Sequence, residues 1–157
     1  MFADRVWIMV DVETSGRVFG QHSLLELGAV VGSRATGITD RFAILMRPIS
    51  EHVVQSRETF RKAAERGEAP AEAMARFAAW TAPHIRARAT FIARPASFDW
   101  PWIVQYAWTY LGENPFGFKA VCASSWLEAR GGRFRVELPH VAVEDASTQL
   151  EYFLSHG

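Results

Sequence analysis

Asp11 and Glu13 stand two residues apart, directly after the apolar run Val6-Trp7-Ile8-Met9-Val10. In an extended strand successive side chains alternate between faces, so both carboxylates point to one side while Val12 points to the other. Two like charges beside a buried strand raise each other's pKa and lose hydration, so such a pair calls for a cation. Oxygen donors with no thiolate in reach favour Mg²⁺ or Mn²⁺. Taken alone, the same pair also fits a strand that simply ends in solvent. Asp99, in Ala96-Ser97-Phe98-Asp99, follows a strand candidate and opens a helix, where capping and the helix dipole account for an acid without any function. His140 precedes Asp145 by five residues, and Asp145 falls in the first turn of the final helix, again a place where acids are common.

The conjunction carries more than its parts. Three of the five aspartates fall in these three segments, at the end of the first strand, the start of a middle helix and the start of the last helix. In this order, over almost the whole chain, the segments resemble the DEDD exonucleases of the RNase H-like superfamily, in the His-containing (DEDDh) branch. Asp11-Val12-Glu13-Thr14-Ser15-Gly16 resembles the first motif of that family, and Leu24-Leu25-Glu26-Leu27-Gly28-Ala29-Val30 the strand that follows it. Phe98-Asp99 resembles the core of the second motif, and His140, Ala142 and Asp145 the third.

The resemblance implies hydrolysis of phosphodiester bonds with two divalent ions, Mg²⁺ or Mn²⁺, releasing nucleoside 5′-monophosphates from a 3′ end. Asp11, Glu13 and Asp145 would hold one ion, Asp11 and Asp99 the other, and His140 would take the proton of the attacking water. Thr14, Ser15 and Gly16 would border the pocket of the terminal nucleotide, and Phe98 would stack on its base or serve as a core residue under the helix. One departure from the family pattern is Arg94-Pro95, where a His-Asn pair is usual ahead of the Phe-Asp. Arg130, Arg133 and Arg135, around Gly131-Gly132, read first as a solvated loop and second as a phosphate-contacting rim. Glu26, alone among apolar residues, reads as a structural acid.

These residues need a scaffold, and the pattern supplies one. Val6 to Val10 is the apolar run of a central strand covered on both faces, which ends at the turn signal Thr14-Ser15-Gly16; Leu24 to Val31 and Gly37 to Met46 follow as an antiparallel meander. Helices are expected over Ser56 to Arg66 and Pro70 to Ala82, then a parallel strand at Thr90 to Ala93 and a buried helix from Ser97 to Leu111. A brief strand at Ala120-Val121, a short helix from Ser124 or Ser125 to Ala129 and a last helix from Val143 to Leu154 complete the chain. The expectation is an α/β fold of RNase H-like type, a mixed central sheet of three antiparallel strands plus parallel strands, flanked by helices. All 157 residues are read as one exonuclease domain.

Charge and composition limit the partners. With 17 basic and 17 acidic residues there is no global field for a polyanion, so affinity for nucleic acid has to come from a local patch. No apolar stretch approaches the roughly 20 residues that cross a membrane, and the first ten residues carry no export leader. One cysteine fits a reducing, cytoplasmic setting. The short span between Asp99 and His140 points to single-stranded nucleic acid or short oligonucleotides, with RNA somewhat favoured over DNA. Aromatic residues could supply a homodimer interface. Two other readings are a binding module of the same fold that has lost turnover, and a proofreading or repair exonuclease that acts inside a larger complex.

Overall fold

The computed structural model describes residues 5–157; the first four residues of the stretch read for an export leader lie outside it. Five strands are joined in the order β3-β2-β1-β4-β5. β1 (Trp7–Thr14) pairs antiparallel with β2 (Leu24–Ser33), which pairs antiparallel with β3 (Gly37–Leu45). β4 (Thr90–Ala93) runs parallel to β1, and β5 (Val121–Cys122) runs parallel to β4. The helices are α1 (Arg57–Arg66), α2 (Pro70–Arg86), α3 (Ala96–Leu111), α4 (Ala123–Glu128) and α5 (Ala142–His156). This is the mixed sheet expected from the sequence.

β1 is longer than its apolar run. Val12 joins the core, while Asp11 and Glu13 face Gly28 and Glu26 of β2 across the ladder. α2 likewise runs four residues beyond the expected end. Pro83 costs a helix interior about 3 kcal/mol, but Ile85 beyond it still packs against the core.

The two faces of β1 set the geometry of everything else. Ile8, Val10 and Val12 face a core built with Phe77 of α2 and Trp102 and Ile103 of α3. Trp7 and Met9 face the other way, onto Leu150 and Phe153 of α5. Burying each of those two α5 side chains stabilises the fold by about 1.5–3 kcal/mol, which clamps α5 against the sheet. By the same alternation Asp11 and Glu13 belong to the α5 face.

Gly28, opposite Asp11, lets α5 come this close. A Cβ at that position would collide with the Val143 amide nitrogen and the Ala142 carbonyl. Those are backbone atoms that cannot swing aside. Gly28→Ala is therefore expected to destabilise the protein by about 1–3 kcal/mol through overpacking, seen as a lower Tm, and to displace the start of α5 together with Asp145.

Candidate active site

Each acidic side chain reaches the site for a local reason. β4 ends at Ala93, level with Val10, so further along β1 the Val12 N–H has no strand partner on that edge. It donates to Asp99 Oδ1 at 3.0 Å. The residue is thus no helix cap: it sits in the first turn of α3, 2% exposed, and ties that helix to β1. At the other end, the Glu26 carboxylate accepts the Ala142 N–H, capping α5 from β2 and holding the turn that carries Asp145.

Asp145 Oδ1 accepts the backbone N–H of His140 at 3.1 Å. That closure bends the chain so that His140 adopts φ 59°, left-handed and strained for a residue other than glycine. Its imidazole remains largely in solvent, with Nδ1 4.0 Å from Glu13 Oε1. Potential ligand atoms of Glu13, His140 and Asp145 all lie within 4.8 Å of one another.

The electrostatics are those of a site short of positive charge. Burial, followed by the charges of Asp99 and Asp145, holds Asp11 well above the usual aspartate range. Burial pushes Asp99 up to about 8, although the Val12 N–H works in the opposite sense. Glu13 and Asp145 are also raised, chiefly by burial and against the pull of His140. The side-chain hydrogen-bond donors that reach these carboxylates are neutral: Gln149 Nε2 to Asp11 Oδ1 at 3.0 Å and Ser56 Oγ to Glu13 Oε2 at 2.9 Å.

Four carboxylates with no Lys or Arg ion pair among the described residues and only the His140 imidazole beside Glu13, plus a buried Gln149 Oε1 lacking any partner, make an oxygen-rich donor set. Such a set suits a hard divalent cation. The arrangement fits the group that the sequence motifs imply.

Asp11, Glu13, Asp99, His140 and Asp145 are thus brought together. Thr14 and Ser15 are fully buried, and their polar groups are used internally. The Thr14 hydroxyl donates to the Gly16 carbonyl and accepts from Gln55 Nε2, while Ser15 Oγ accepts the Ser23 N–H. Gly16 packs on the ring of His22. Phe98 is half-buried against the core shared by α2 and α3.

Gln149 and Ser56 were not singled out from the sequence. For Gln149 the signal was present: it is a polar residue exactly one turn beyond Asp145, on the face of α5 that otherwise buries Leu150 and Phe153. Gln149→Leu keeps the volume and removes the donor to Asp11. It is expected to lower kcat/KM by about 10-fold or more, as loss of a group that orients a metal ligand does, with little change in Tm. Steady-state kinetics alongside thermal unfolding checks this.

A scan against known protein families finds no match. The chain is 32% identical over 170 residues to the 3′-5′ DNA exonuclease Cap18 of Escherichia coli, covering 94% of this chain and 89% of that protein. Among solved structures it resembles the nuclease domain of 3′hExo, a DEDDh family member bound to rAMP. That match has a TM-score of 0.65 and 12% identity, covering 94% of this chain and 88% of that one. It also resembles the zinc-bound E. coli ExoI–ssDNA complex, with a TM-score of 0.67 and 12% identity, over 94% of this chain but only 39% of that chain. At such identities the two structural likenesses speak for the fold. No helix among the described residues is long and apolar enough to cross a membrane.

Proposed function

Because the chain belongs to the DEDDh 3′–5′ exonucleases of the RNase H-like superfamily, we propose that it removes nucleoside 5′-monophosphates one at a time from the 3′ end of single-stranded nucleic acid, using divalent cations. The observation that carries this reading is the convergence of Glu13, His140 and Asp145 within 4.8 Å, beside the buried Asp11 and Asp99. Asp11, Glu13 and Asp145 would hold one cation, and Asp11 with Asp99 a second. When bound, Mg²⁺ or Mn²⁺ supplies charge that acidifies the attacking water and offsets the phosphate and the departing 3′-oxygen.

The chain's own residues do the rest. Asp99 and Gln149 fix the strand end and the Asp11 carboxylate in place. Ser56 orients Glu13. His140, exposed at the mouth, accepts the proton of the attacking water and can pass it to solvent. Thr14, Ser15 and Gly16, enclosed and with their polar groups used internally, would support from behind the pocket of the terminal nucleotide, and half-buried Phe98 would border it.

DNA is the favoured substrate, supported by the activity of the 32% identical relative; this moves the weight away from RNA. The single cysteine supports work in a reducing cytoplasm. The test is degradation of a 3′-labelled 12-mer, as DNA and as RNA of equal sequence, with Mg²⁺, Mn²⁺ or EDTA. Cation-dependent release of mononucleotides, faster on DNA, is expected. Internal cleavage products, or a rate indifferent to EDTA, would remove the basis of the proposal.

A further inference from the structure

With zero net charge, this protein must hold a polyanion through a local patch, and one lies alongside α5. From Arg133 to Pro139 the chain forms neither helix nor paired strand. Its side chains alternate: Phe134, Val136 and Leu138 turn inward, whereas Arg133, Arg135 and Glu137 are exposed. The segment runs antiparallel to α5, pinned near the helix's far end by Tyr152 Oη donating to the Arg133 carbonyl at 2.8 Å. Near the helix's start the His140–Asp145 bond pins it again.

Aromatic rings hold the neighbouring cations in place. Phe134 packs on Tyr152 with centroids 5.0 Å apart, and the guanidinium of Arg94 lies 4.6 Å over the Phe134 ring. Arg94 occupies the departure from the family motif, five residues before Asp99, so it links the site to the patch. Arg130 stacks in the same way on Trp126 at 4.9 Å. A guanidinium lying flat on a ring keeps its N–H edge free for phosphate. The side chains of Arg133 and Arg135 form no ion pair or hydrogen bond among the described residues, and Arg133 borders two open hollows of about 610 and 500 Å³. Glu128 and Glu137 are acids at its margin.

We propose that Arg94, Arg133 and Arg135 form a phosphate track that holds the single strand upstream of the reacting 3′ end. The inference rests on the exonuclease reading above. From Asp145 to Tyr152 the helix rises about 10 Å, roughly three nucleotides of a stacked strand. The track therefore engages oligonucleotides of four or more residues and misses a dinucleotide. Aromatic rings interleaved with the cations add sequence-tolerant surface.

The test compares wild type with Arg133→Ala/Arg135→Ala on a DNA dinucleotide and a DNA 12-mer, with binding of the 12-mer to each on the Asp11→Asn background measured by fluorescence anisotropy across a salt series. Both side chains are exposed, so Tm should not move. KM for the 12-mer is expected to rise about tenfold with kcat unchanged, the loss on the dinucleotide should stay within about twofold, and the salt slope of binding should flatten by about 1–2. An unchanged KM and slope for the 12-mer, or an equal loss on both lengths, overturns the track. Salt-sensitive binding that depends on the arginines, with no turnover by wild type on either length, would keep the track and sink the exonuclease reading instead.

Discussion

Asp99→Asn should cut turnover about 10³-fold and yet stabilise the metal-free protein. An amide keeps an oxygen to accept the Val12 N–H, so the junction between α3 and β1 survives, but it offers a cation no charge. Losing several kcal/mol of cation-derived stabilisation in the transition state corresponds to a fall of about 10³-fold in kcat. Stability moves the other way. The folded protein holds Asp99 at about 8 against an ordinary 3.8, so the unfolded chain releases this proton near pH 4 while the folded chain keeps it. A raised carboxylate pKa therefore contributes stability that is present in acid and is lost as pH climbs from about 4 to 8.

In EDTA, wild type should melt lower at pH 8 than at pH 5.5, and the Asp99 contribution to that slope should vanish in Asp99→Asn. The variant should melt about 5 °C above wild type at pH 8, equivalent to about 2 kcal/mol for a chain this size. Calorimetry at the two pH values decides. A variant that melts lower than wild type at pH 8 would mean that the Asp99 carboxylate stabilises the metal-free fold, contrary to this account.

His140→Asn should retain fold and cation binding while losing most of the rate. Asparagine tolerates the left-handed backbone that this position requires, and the His140 amide, not the ring, makes the bond to Asp145. What disappears is the base. General-base catalysis contributes about 10²–10⁴-fold, and a fall in kcat of that size is expected, with KM nearly unchanged. Single-turnover rates should fall by the same factor, because the base acts in the chemical step and not in product release. A variant with a near-wild-type single-turnover rate would show that His140 is not the base.

How far the sequence could be read depended on whether a residue's role was local. The common face of Asp11 and Glu13 follows from strand periodicity, and the structure bears it out through the opposite packing of Val12. The end of β1 was legible in the Thr14-Ser15-Gly16 turn signal even though the apolar run stops at Val10, because the ladder to β2 continues under polar residues as far as Thr14. Asp99 looked like a helix cap because local chemistry explains an acid there. Its real partner lies 87 residues away, on a strand edge that exists only once β4 has ended. Gln149 and Ser56 reach their carboxylates across 138 and 43 residues, and no spacing rule spans such separations. Glu26 was legible as a structural acid, but its task of capping α5 needed the close approach that Gly28 permits.

The most direct measurement is an anomalous-difference map from crystals grown with Mn²⁺. Two peaks are expected, one among Asp11, Glu13 and Asp145 and one between Asp11 and Asp99, with the second missing in Asp99→Asn. Clear density for the protein with no peak at these carboxylates, or with manganese bound only elsewhere, would contradict the assignment of this cluster as the catalytic centre.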